Sequence, residues 1–347
     1  AERKAHRIAY NFTIRSAACD VIRCILPAST KANLGLVGNG RFYSGLISKL
    51  LSHDLQEAQS LAESIRQALN HQIPTFIKRA AKSDYQIAIQ KEMGEICAGL
   101  FKDKPIEKAG EVVLLQDKAE ENEINLLSFI VFPFTQHPTE QIRRVIKSLP
   151  PEKRREIFTV YTGGRKSKRD RPGRGLEYGY PIQFDLIAGF AEYRDLQRHR
   201  MLTQQRQDIG VLLGYSIPDE IREIGKAEVT SECFERAEEL YHDLKRTGME
   251  QEAQYAALFN HLIRWNMGMN LREFSHFVEL RTQKAGHPKY RRIVQKMAKL
   301  YLKQHPEMQP VLQFVDNKDY DDGIARAQQE ARTARKSLAT GVFDDMD

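Results

Sequence analysis

The 347 residues contain no run of about 18 apolar side chains, the length a helix needs to cross a bilayer, so no segment is expected to span a membrane. The opening AERKAHRIAYNF lacks the apolar core of a secretory signal, and a cytoplasmic protein is expected. Cysteine is scarce. Cys19, Cys24, Cys97 and Cys233 form no CxxC pair and no zinc spacing, so they read as buried or incidental thiols in a reducing compartment. The histidines show no metal-ligand grouping, and no metal site is expected. Also missing are GxGxxG, a Walker loop, HExxH and a GxSxG elbow. Gly35, Gly38 and Gly40 in NLGLVGNG are too few and wrongly placed to cradle a phosphate.

What is present begins with charge. Lys and Arg number 53 against 46 Asp and Glu, a formal net charge of +7, which suggests an anionic partner. Much of the excess lies in GGRKSKRDRPGR, residues 163–174. A mobile loop of solvated charge is the commoner meaning of such a run. Nucleic-acid binding through Arg165, Lys166, Lys168 and Arg169 is the competing reading, but no aromatic residues are interleaved to stack on bases. Phosphorylated small molecules remain as the other anionic class.

Hydrophobic periodicity points to an α+β protein. Helices are expected over 48–70, over 84–101 with Ser83 and Gln86 in a capping-box pattern, over 139–149 ahead of Pro150 and Pro151, over 231–247 with Gly248 as C-cap, and over 288–305. EVVLLQ (111–116) and IQFDLIAG read as strands, and 190–200 as a helical segment closing on Arg198, His199 and Arg200. The polar stretch from Phe101, with Pro105 and Gly110, reads as a linker. The charged segment from Asp316 reads as a tail, either a terminal helix or disordered. An ungapped internal comparison sets VGNGRFYSGLISKLLSHDLQEAQSLAESI against GMNLREFSHFVELRTQKAGHPKYRRIVQK, with Asn39 on Asn270 and Arg41 on Arg272. Two copies of one fold are implied.

Two polar constellations stand out. Two guanidiniums and an imidazole in Arg198-His199-Arg200 can converge on a pyrophosphate at the end of an element, because arginine's planar fork matches phosphate oxygens. The same triplet also reads as a charged last turn complementing a helix dipole. In NLREFSHFVELR the apolar positions Leu271, Phe274, Phe277 and Val278 form a buried helical stripe. That leaves Asn270, Arg272, His276 and Arg281 either on a wet face or aimed at an elongated ligand. Asparagine offers both a donor and an acceptor, which suits a ribose hydroxyl or a base edge.

RHRMLTQQRQ and NLREFSHFVELR, in this order and at this separation, resemble the flavin-dependent thymidylate synthases, the ThyX family. The lead-in FDLIAGFAEYRDLQRHR and the later AGHPKYRR fit as well, and the likeness covers about residues 111–313. The first hundred residues resemble the later half of the same fold, through RCILP (Arg23 to Pro27), Asn39 and Arg41. The resemblance implies long helices packed on a small, mainly antiparallel sheet, in about one and a half copies. Its domains would be 1–105, 106–316 and a tail 317–347.

It further implies methylation of deoxyuridine monophosphate (dUMP) to dTMP, with methylenetetrahydrofolate and NADPH as co-substrates and FAD as cofactor. Arg198, His199, Arg200, Asn270, Arg272 and His276 would grip FAD, with Asn39 and Arg41 as the first copy's equivalents. Arg281 would contact the uracil and Arg23 the nucleotide. A nearby cation stabilises charge developing on the ring. No enzyme cysteine attacks the pyrimidine in that family.

The chain departs from the family pattern at Asp195, Arg206, Asp208, Gly210 and Gln254, and Leu50 stands where the first copy would carry the counterpart of Arg281. Neither copy alone completes a nucleotide site. A homo-oligomer with the site divided between unlike copies is therefore expected. A degenerate copy kept for flavin binding or assembly is the alternative, and the nucleic-acid reading is a third.

Overall fold

The computed structural model describes residues 2–100, 102, 105–106, 108–115, 119–163, 165–168, 170, 172–179, 181–199, 201–320 and 331. Arg200, Arg169, Phe101, Gln116, the side chain of Gln86 and most of the tail (321–330 and 332–347) therefore lie outside the described residues. The helices are α1 (Glu2–Ile22), α2 (Gly40–Leu51), α3 (Gln56–Leu69), α4 (Pro74–Ile77), α5 (Asp84–Leu100), α6 (Ala119–Val131) and α7 (Thr139–Ser148). They continue with α8 (Pro151–Gly163), α9 (Phe190–Leu196), α10 (Asp219–Glu223), α11 (Ala227–Arg246), α12 (Leu271–Arg281) and α13 (Pro288–Gln304). The strands are β1 (Val112–Leu115), β2 (Ile182–Gly189), β3 (Thr203–Arg206) and β4 (Leu262–Met269). The protein is α+β and mostly helical.

The chain divides into two compact units. One comprises Ala1–Pro27, Ala109–Glu238 and Ala257–Asp347; the other comprises Ala28–Lys108 and Glu239–Ala256. In the larger unit the strands form one antiparallel sheet in the order β1-β2-β4-β3. β2 and β4 pair along their full length, from Ile182 opposite Met269 to Gly189 opposite Leu262. Ile182, Phe184, Leu186 and Ala188 are buried and alternate with more exposed neighbours, the period expected of a strand with one face on a core. Ile263, Trp265, Met267 and Met269 supply the matching buried face of β4.

The segment after α1 belongs to this unit. Phe259 N–H donates to Leu26 O at 2.9 Å and Asn260 N–H to Cys24 O at 3.2 Å. Cys24 joins Ile217, Ile221, Phe234, Ala237 and Leu258 in a buried apolar cluster. Arg23 is thereby carried against the sheet-bearing part of the chain.

The smaller unit packs Ile47, Ala62, Ile77 and Ala80 at its centre. The helix expected over 48–70 is two helices, α2 and α3. Ser52 Oγ donates back to Ser48 O at 2.7 Å and accepts Ser83 N–H at 2.9 Å, so the hydroxyl anchors a turn where the apolar spacing alone suggested continuity. The segment 190–200 is also shorter than expected. α9 ends at Leu196, and Arg198 and His199 lie in the connection to β3.

Arg165 is not a solvated loop charge. Its fork donates to Glu279 Oε1 and Oε2 at 3.0 and 2.6 Å and to Val311 O at 2.9 Å, with both ionic side chains almost fully buried. No helix among the described residues is long and apolar enough to cross a membrane.

Candidate active site

Two strand-to-helix turns in the larger unit build the site. β4 ends at Met269, and Asn270 leaves it with extended backbone, its Oδ1 accepting the N–H of Glu273 at 2.8 Å. That bond caps α12 and explains an asparagine here on local grounds alone. The smaller unit repeats the device: Asn39 caps α2, its Oδ1 accepting Phe42 N–H at 3.0 Å. β2 ends at Gly189, where a Cβ would stand 2.3 Å from Glu192 Oε2. A side chain here would force that carboxylate to shift.

His199, in the connection after α9, is held against α12. Its Nε2 accepts from Arg281 Nε at 2.9 Å, and its Nδ1 lies 3.4 Å from Glu273 Oε1. Phe277 and His276 flank the ring, with centroids 4.9 and 5.7 Å away. Arg281 runs alongside the Tyr290 ring, 5.9 Å from its centroid.

A second set of ionic groups surrounds Asp195 on α9. Its carboxylate meets Arg23 Nη2 at 3.2 Å and Arg198 Nη2 at 3.3 Å. Arg23 also lies 3.8 Å from Asp20. Arg198 remains mostly exposed. Nearby, burial pushes the Glu192 carboxyl above its ordinary range, opposed by the charges of Lys289 and Arg23. Burial also pulls His287 down to about 4, helped by Arg23 and Lys289. His287 Nδ1 caps α13 by accepting Lys289 N–H at 3.3 Å, and Lys289 Nζ reaches Ser216 Oγ at 3.4 Å.

The structure thus sets Arg23 and Arg198 on Asp195, and His199 with His276 and Arg281, the two groups joined through the chain at Arg198–His199, while Asn270 caps the helix that carries His276 and Arg281. Arg272 projects from the same helix as Arg281 but is engaged elsewhere: its Nε donates to Pro172 O at 2.9 Å and its Nη1 to Glu177 Oε1 at 2.6 Å. Arg200 lies outside the described residues, and Asn39 and Arg41 belong to the smaller unit. Glu273, Glu177, Glu192, His287 and Lys289 were not singled out as site residues from the sequence. The signal for Glu273 was available, since a glutamate three residues after an N-cap is a capping-box pattern. Among the described residues no group of three or more His, Cys, Asp or Glu side chains is placed to hold a metal ion.

The donor set suits an anionic, phosphate-bearing ligand. Arg198 presents a largely exposed fork, and Arg281 keeps its terminal nitrogens clear of carboxylates among the described residues. These residues fit a dinucleotide cofactor. Arg272 fits one only by sharing or releasing Glu177.

Residues 180–307 match the family model Thy1, described as thymidylate synthase complementing protein. A UPF0159 protein of Chlamydia muridarum is 32% identical over 334 residues, covering 93% of this chain and 62% of the relative. A UPF0159 protein of Thermoplasma acidophilum is 30% identical over 341 residues, covering 98% of this chain and 66% of the relative. The chain therefore spans a little under two thirds of the length of these curated relatives. It is also similar to a solved structure titled a UMP/dUMP methylase PolB from Streptomyces cacaoi bound with 5-Br dUMP. The TM-score is 0.45 and the identity 16%, over 57% of this chain and 93% of that one. Through residues 180–307 the chain is therefore similar to the Thy1 family, the thymidylate synthase complementing proteins.

Proposed function

We propose that the protein methylates dUMP to dTMP, taking the carbon from methylenetetrahydrofolate and the hydride from NADPH. FAD, when bound, supplies the hydride transfer. Arg198, Asn270, Arg272 and His276 would hold the cofactor, with Arg200 completing the triplet and His199 acting from behind it. Arg281 would face the uracil, where a fixed cation favours developing negative charge. Arg23 would bind the nucleotide.

One observation carries this reading: Arg23 and Arg198 share the Asp195 carboxylate at 3.2 and 3.3 Å. The arginine of RCILP and the arginine of the triplet are therefore neighbours within one unit, although 175 positions separate them in the numbering (198 − 23). On this reading the chain comprises about one and a half family-like copies, 1–105 and 106–316, with Arg23 of the first contributing to the site of the second, and works as a cytoplasmic homo-oligomer. Asn39 and Arg41 would serve a second cofactor position.

The same ionic contacts favour a second reading. Asp195 competes with a phosphate for both arginines, and Glu177 already neutralises Arg272. A chain in which these carboxylates hold the ground would bind flavin weakly and serve assembly. The visible spectrum of the full chain titrated with FAD, and then with dUMP, separates the two. A bound-flavin spectrum that shifts on adding dUMP, followed by dTMP formation with methylenetetrahydrofolate and NADPH, is the expected result. A flavin spectrum unmoved by dUMP would favour the second reading, and the absence of both signals would end the first.

A further inference from the structure

We propose that Glu273 is a positioning residue of this site, acting through His199 to aim the Arg281 guanidinium at the nucleotide. The proposal rests on the reading of Arg281 as a nucleotide contact. Glu273 stands three residues after the N-cap of α12, where a capping-box glutamate ordinarily reaches back to the N-cap N–H. Its backbone N–H is taken by Asn270 Oδ1, but its carboxylate lies 3.4 Å from His199 Nδ1.

A carboxylate at Nδ1 keeps the imidazole proton on that nitrogen. Nε2 is then left with its lone pair, which the Arg281 Nε–H at 2.9 Å requires. The opposite tautomer would set two N–H groups head to head. Both nitrogens of a buried ring are thus engaged within the protein, and Phe277 and His276 pack around it. Arg281, tied back through Nε, presents its two terminal nitrogens as a planar pair of donors, the shape that a planar acceptor edge or an anionic group accepts. Among the described residues, the titratable and charged groups facing His199 are Glu273, His276 and Arg281, all from α12. Arg198, its chain neighbour, is paired with Asp195.

The test uses the full chain loaded with FAD, with dUMP as the probe and histidine-labelled protein for nitrogen NMR. His199 is expected as the Nδ1–H tautomer in the unaltered protein. Glu273→Ala frees the ring to adopt the other tautomer and weakens dUMP binding on the order of tenfold, the loss of about one hydrogen bond. Flavin content should be retained. Glu273→Gln recovers most of the affinity, because the amide oxygen still accepts from Nδ1–H.

A merely structural Glu273 would change thermal stability and leave the tautomer in place, and that result would overturn the proposal. Unaltered dUMP affinity in Glu273→Ala would overturn it as well. A protein that binds flavin but no dUMP would instead refute the nucleotide reading of Arg281, and the tautomer change in Glu273→Ala would then decide the Glu273–His199 coupling by itself.

Discussion

Arg165 and Glu279 meet at 2.6 Å with side chains 6% and 3% exposed, and the arginine also reaches Val311 O. Two ions taken out of water are held by each other and by neighbouring polar atoms, so removing one strands the other. Arg165→Ala is expected to cost roughly 3–5 kcal/mol of folding stability, read from urea denaturation. The paired change Arg165→Met with Glu279→Leu should cost far less, since it removes both charges and keeps the volume. Two histidines give the protein a pH signature. Burial lowers His261 and His287 to about 4, below the ordinary histidine value, so the unfolded chain binds more protons between those limits. Stability contributed by these groups is complete above the unfolded value and is lost as pH falls toward the folded one. The slope is at most about 1.4 kcal/mol per pH unit from each. Glu192 is shifted upward and acts with the opposite sign, its contribution falling as pH rises above the ordinary carboxylate range. His287→Asn keeps a good capping residue and removes one titration. It should flatten the stability profile between about pH 6.5 and the folded-state value. An unchanged slope would show that burial of His287 is not felt in folding.

Caps decide much at the level of single elements. Asn270 and Asn39 each satisfy an N–H at the start of a helix, and replacing either with alanine should cost about 1 kcal/mol, whereas serine should restore most of it. Thermal denaturation of the four variants checks this. The asparagine-x-arginine pairs were readable in the sequence through the internal comparison and the resemblance, which read the asparagines as ligand contacts; the capping role is what the structure adds. β2 was readable because its burial alternates. β3 was not, since TQQR carries no apolar period and is held only by pairing with β4. β4 itself, LIRWNMGM, is broken by Arg264, Asn266 and Gly268, which hid it among the helical patterns around it. The break between α2 and α3 was missed for the opposite reason. The apolar period runs through it, and the turn depends on Ser83, which is remote in sequence from Ser52.

Across the whole molecule, the site joins segments that local sequence cannot place together. RCILP and the triplet were each visible, but only backbone pairing of residues 24–27 with 258–260 sets Arg23 beside Asp195. The carboxylates that meet the arginines were less visible, because an ion pair formed in three dimensions leaves no periodicity behind. This arrangement separates the roles of two arginines on one helix. Arg272→Ala should lose flavin, measured as bound-flavin absorbance, because that fork is assigned to the cofactor. Arg281→Ala should keep flavin and lose the dUMP-induced spectral shift. The existing pairing of Arg272 with Glu177 at 2.6 Å supplies the control. If Glu177 competes with the cofactor for that fork, Glu177→Gln frees the arginine and tightens flavin binding by several-fold, while Arg272→Ala weakens it. If both variants weaken flavin binding equally, the pair acts as one structural unit and Arg272 is a strut between α12 and the segment carrying Glu177, with the cofactor held by Arg198 and its neighbours alone.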